Sequence, residues 1–254
     1  MKKTFFLFSI LSISVISTEA QGLKGFMKKI ASDTSSTSSI NKVLNAASSA
    51  NGTGGLSSAT IANGLKEALE VGTQRSVTKL STANAFFKDA AIKILMPAEA
   101  QKVEQKLRSM GLGSQVDKAI TSMNLAAEDA SKSAAPIFIN AIKQMSIQDA
   151  VGILKGGNFA ATNFLKSKTT ANLTEAFRPV IEQSLAKVNA TKYWNTLFST
   201  YNTFSTQKVN TDLSAYVTEK ALAGIFHEVA LEEQKIRTDP AAQTTNLLKQ
   251  VFGK

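Results

Sequence analysis

Hydrophobic residues recur along this chain at helical spacing, and no alternation typical of a strand persists beyond a few residues. With residues placed about 100° apart around an axis, the stretch Thr211–Thr238 gathers Leu222, Ile225, Phe226, Val229 and Ile236 on one face. Glu233 falls inside that apolar stripe, with Thr218 in line and Glu232 and Arg237 on its margins. His227 points nearly the opposite way, towards water. Asp239-Pro240 then ends the helix and caps the next, since Asp suits an N-cap and Pro the first helical position.

The same reading predicts the preceding elements. Ser57-Ser58 opens a helix reaching Leu80, and Ile92–Met96, followed by Pro97, is short, apolar and extended. Ala98–Met110 is helical and stops at Gly111. Ser114 then caps one long helix to Met145, kinked at Pro136, whose face carries Ile120, Met123, Ala127, Phe138 and Ile142. Asn124 and Ser131 lie within that stripe and Glu128 beside it. Ser146 and Asp149 form a capping box for Ile147–Lys155. Asn158 caps a short helix, Thr170 opens another with Pro179 as a kink, and Thr191–Phe204 is aromatic core with amphipathic rims. The expectation is an all-α fold, one multi-helix domain over 57–254 with kinked long helices.

Ahead of it, Lys2 and Lys3, the apolar run Phe5–Ile16 and Thr18-Glu19-Ala20 have the layout of a signal peptide over 1–20, cut after Ala20. Residues 21–56, with a Ser/Thr-rich spacer and ANGTGG at Ala50–Gly55, are expected to be a flexible leader. The glycines are not followed by the Lys-Ser/Thr of a phosphate loop. An export signal without cysteine points to a bacterial periplasm or outer envelope and to a soluble mature protein.

Charge narrows the partners. The chain has 29 basic and 19 acidic residues, net +10, and only Arg75, Arg108, Arg178 and Arg237 are arginines. Lysines scattered singly read as solvated helix faces, whereas nucleic-acid binding calls for an Arg-bearing stripe with stacking aromatics. No nucleic-acid partner is expected, and at most peripheral contact with an anionic membrane surface.

The chemistry-bearing groups are few. His227 is the single histidine, and Leu231 stands where a zincin would place its second one. Zero cysteines exclude thiolate ligands and nucleophiles, so no metal and no cofactor are expected. Ser76-x-x-Lys79 and Ser205-x-x-Lys208 match the serine acyl-enzyme motif without its companion motifs. Asn124, Glu128, Glu233 and Arg237 differ, because they sit on or beside apolar faces of two long helices. They form either a polar ligand pocket or an internal network in which Glu233 and Arg237, four residues apart, pair.

Two long motifs, MNLAAEDASKSAAPIFINAIKQMSIQDAVGILKGGNFAAT at Met123–Thr162 and YVTEKALAGIFHEVALEEQKIRTDP at Tyr216–Pro240, carry a family likeness. From about Leu56 to Phe252 the chain resembles a bacterial family catalogued as domain of unknown function four-one-nine-seven. The resemblance implies an exported helical protein and makes Asn124, Glu128, Asp149, Thr162, Thr218, Glu233 and Arg237 its polar signature positions. Leu125 and Ala223 stand where that pattern is expected to be more polar.

The sequence thus leads to an expected non-enzymatic envelope protein that binds a protein partner or an apolar ligand. The alternative is an enzyme or metal-binding protein using the carboxylates Glu128 and Glu233.

Overall fold

Ser57 begins the ordered helices in the expected way, its hydroxyl accepting the Thr60 N–H at 3.1 Å. The computed structural model describes residues 57–252 except 205, 207, 209 and 210, and their side chains except those of 193, 196, 197, 200 and 204. The signal peptide and leader expected over 1–56 lie outside the described residues.

In chain order the helices are α1 (Ser58–Leu80), the single-turn α2 (Ala85–Lys88), a 3₁₀ turn (Ala98–Ala100) running into α3 (Gln101–Ser109), α4 (Gly113–Ser131), α5 (Ala134–Lys143) and α6 (Ile147–Lys155). Then come α7 (Ala160–Lys187), α8 (Ala190–Phe204), α9 (Leu213–Thr238), a second 3₁₀ turn (Pro240–Ala242) and α10 (Asn246–Phe252). Among the described residues there is no strand, so the fold is all-α as the periodicity predicts.

α9 is the central helix and packs against α7, α1 and α4, while α4 also packs along α7. Its buried face includes Val217, Ala221, Ile225 and Val229, and Phe226 meets Phe138 of α5 edge to face, centroids 5.9 Å apart. Small residues let the elements close on one another. Gly224 has no room for a methyl group, because the Phe86 ring would stand 2.5 Å from it.

Three expectations are corrected. The helix expected to run from Ser114 to Met145 with a kink at Pro136 is two helices, broken at Lys132 and Ser133. Pro136 cannot bond the Lys132 carbonyl and its ring crowds that turn, so the chain stops α4 and restarts with Pro136 in the first turn of α5, where an N–H has no helical partner anyway. Ser131 and Ser133 donate their hydroxyls to the Ala127 and Ala130 carbonyls beside the break.

The helix start expected at Thr170 is absent, and α7 is continuous through both Thr170 and Pro179. Thr169, Thr170 and Thr174 each return the hydroxyl to the carbonyl four residues earlier, which keeps residues that also suit caps inside the helix.

Ser114 and Asn158 are not caps. α4 starts at Gly113, α7 at Ala160, and neither N-cap residue gives a side-chain bond. The capping box of Ser146 and Asp149 and the cap of Asp239 on Ala241 form as expected.

Candidate functional site

Between α2 and the first 3₁₀ turn the chain runs without regular structure, with Ile92, Ile94 and Met96 buried. A buried backbone outside helix or strand must find partners elsewhere, and α4 supplies them. Asn124 accepts the Ile94 N–H at 2.9 Å and donates to the Ile94 carbonyl at 2.8 Å, pairing with that residue as a neighbouring strand would. One turn on, Glu128 accepts the N–H groups of Asn84 and Phe86 at 3.1 and 3.2 Å. Asn84 is left-handed, φ 62°, and enters α2 without using its own side chain as a cap, so the Glu128 carboxylate serves that turn. Burial raises the Glu128 pKa against the lowering effect of those bonds.

Glu233 does the same for α7. Its carboxylate accepts the Ala161 N–H at 3.1 Å, the Thr162 N–H at 2.8 Å and the Thr162 hydroxyl at 2.8 Å. The helix whose own flanking residues provide no cap is thus capped from α9. Arg237 holds the carboxylate through Nε at 3.0 Å and Nη2 at 2.8 Å, and donates to the Ile153 carbonyl at the end of α6. Their side chains are only 5 % and 14 % exposed, so the pair is sheltered from water. The cavity beside them, about 20 Å³ between α1, α7 and α9, has room for one water molecule and no substrate.

The four singled-out residues therefore fall into two separate groups. Asn124 and Glu128 hold residues 84–94, whereas Glu233 and Arg237 tie α6 and α7 to α9. Each carboxylate is engaged by donors from the protein. Among the described residues no three of His, Asp and Glu are grouped as a metal site. Ser76 is buried and donates to the Gly72 carbonyl, while Lys79 pairs with Glu228 at 2.8 Å, so this Ser-x-x-Lys does not assemble. Ser205 of the second lies outside the described residues. His227 is exposed on α9.

Sequence reasoning missed two features. Glu228 is buried on α9, 2 % exposed, with Lys79 of α1 as its partner, and that hydrogen bond raises the Lys79 pKa. The larger omission is a groove of about 840 Å³ between α3, α4 and α8. Met96, Val116, Met123, Trp194 and Phe198 form buried parts of its wall, while Leu112, Leu125 and Val188 are exposed at it. Large apolar side chains left 41–52 % exposed beside a cleft are the kind of surface that marks an interaction site. The available signal was Leu125, apolar where a polar residue was expected.

Fold and side-chain bonding define an all-helical domain whose irregular segments and helix starts are held by buried polar residues of distant helices. The chain belongs to the family described as "Protein of unknown function (DUF4197)", which matches residues 55–253. No curated protein and no solved structure matches it significantly.

Proposed function

We propose that this is an exported bacterial envelope protein whose helical domain binds an apolar ligand in the groove between α3, α4 and α8, without catalysing a reaction on it. The observation that carries this reading is the groove itself. Its volume of about 840 Å³ lies within the range of small-molecule sites, which are concave and mostly apolar. The hydroxyls of its lining offer little for recognising a polar ligand. Thr121 and Ser122 spend their hydroxyls on the Asp117 and Ala119 carbonyls of their own helix. The use of Glu128 and Glu233 as a reactive carboxylate pair has no comparable support, since the two serve different backbone segments.

Trp194 is the single tryptophan of the chain and lines the groove, so its fluorescence reports occupancy directly. Titration of lipid-stripped protein with hexadecanol is expected to shift its emission saturably, and Leu125→Arg should weaken that response while leaving the helical circular dichroism intact. An unchanged emission over the whole titration would reject the groove as a ligand site. Export is tested separately by sequencing the mature N-terminus, expected at Gln21.

A further inference from the structure

The last helix is fastened differently from the others. α10 packs against α1 and α9. Its wholly buried Leu248 forms a small core with Ala68 of α1, Ile236 of α9 and Ala242 of the second 3₁₀ turn, set apart from the main core. Of α10, only Phe252 packs against both cores. Among the described residues no hydrogen bond or ion pair joins α10 to another helix, and the Leu248 and Lys249 N–H groups go to Thr245 just ahead of it. Elsewhere the ties are polar. Lys79 and Glu228 join α1 to α9, Glu128 holds α2, and Glu233 and Arg237 hold α7 and α6. α10 is held by apolar contact alone.

We propose that α10 is a detachable strap. It leaves the surface of α1 and α9 as a unit while the main core stays folded, and its release opens the cavity beside Glu233 and Arg237 to solvent. Seven residues are too few for a helix that persists off its partner surface, so α10 is either docked or unfolded. Segments with few buried apolar contacts open at a lower free energy than the core, and here no polar tie adds to those contacts. Docked, Phe252 lines the cavity of about 20 Å³ together with Glu233 and Arg237, and so helps to keep water from that pair. Opening therefore acts across the fold. A pair moved from shelter into water attracts more weakly, and the Glu233 carboxylate, less firmly held by Arg237, loosens its grip on the Ala161 and Thr162 N–H groups. The strap at the end of the chain thus controls the start of α7. Its fit on α1 is close at Gly64, where an added methyl group would stand 2.6 Å from the Val251 side chain.

Hydrogen exchange of the full mature chain, read by mass spectrometry, tests this. The α10 amides are expected to exchange at least about tenfold faster than those of α9 between Val217 and Val229, at a rate that mild urea hardly changes, as local opening requires. Gly64→Ala presses against Val251 and should speed α10 exchange about tenfold further, raising exchange at Ala161 and Thr162 while the α9 amides stay as they were. A chain ending at Thr244 should keep its helical circular dichroism and cooperative unfolding, and show the same faster exchange at Ala161 and Thr162. Exchange of α10 in step with α9 in the wild type, or failure of the shortened chain to fold, would overturn the strap. A shortened chain that folds with Ala161 and Thr162 as protected as before would overturn its control of the α7 start.

Discussion

The carboxylate of Glu233 caps α7 from α9, accepting the N–H and hydroxyl of Thr162, 71 residues earlier in the chain, at 2.8 Å each. Arg237 fixes that carboxylate from one turn further along α9. Removing Arg237 leaves a sheltered charge without its counterion, and Arg237→Ala is expected to cost about 3 kcal/mol in urea unfolding. Glu233→Ala should cost at least about 1 kcal/mol more, because it also strands the first N–H groups of α7. For the same reason, replacing both by apolar residues should not restore stability, although a pair that bonded only to itself would tolerate it. A double variant near wild-type stability would show that the cap contributes nothing.

Asn124 and Glu128 are expected to be as costly to remove. Asn124→Leu leaves the N–H and carbonyl of Ile94 unpaired, worth roughly 2–4 kcal/mol together. At Glu128 the raised pKa means that the folded state keeps its proton at pH values where the unfolded chain has lost it. This carboxyl's contribution to stability therefore falls as pH rises through and just above the ordinary glutamate range. Unfolding free energies measured across that range should show the slope in the wild type, and Glu128→Gln should lack it at a lower overall stability.

Tyr216 provides a second pH signature. Its hydroxyl donates to the Leu95 carbonyl at 2.9 Å, and burial pushes its pKa up to about 12. Between about pH 10, where an unfolded tyrosine ionises, and that value the folded state binds the extra proton. Stability should then drop as pH rises through this window. Absorbance titration is expected to show a late phenolate that Tyr216→Phe removes.

Two glycines within helices should respond in opposite senses. Gly224→Ala forces a methyl group against the buried Phe86 ring, an overpacking cost of about 1–3 kcal/mol. Gly152 of α6 has open space around it, so Gly152→Ala should stabilise by about 0.5–1 kcal/mol. Thermal unfolding midpoints that move in the same direction would contradict this packing.

His227 is exposed on the outer face of α9. His227→Ala should change stability by less than about 0.5 kcal/mol, a limit that chemical denaturation can resolve.

Helical class, the capping box at Ser146 and the outward histidine were legible because each depends on residues close together in sequence. The burial of Glu233 with Arg237 was legible too, as both lie on one helix and the spacing of four sets their contact. What Glu233 does there was not, since its partners Ala161 and Thr162 are brought to it only by the packing of α7 on α9. Asn158 and Ser114 misled for the same reason. Either could cap a helix locally, yet neither does. Pro136 was recognised as a disturbance, but its position in the sequence does not distinguish a kink from the full stop found at Lys132 and Ser133. The groove was invisible because its walls come from α3, α4 and α8, and each looks like an ordinary amphipathic helix by itself.

The caps also impose an order on events as the polypeptide is synthesised. Residues 84–94 can settle as soon as Asn124 and Glu128 have emerged, some thirty to forty-four positions later. The start of α7 has no such early partner and waits for residue 233, close to the end of the chain. A nascent or truncated chain ending in α8 would carry the α7 N–H groups open, and the final segment would close the domain in one late step.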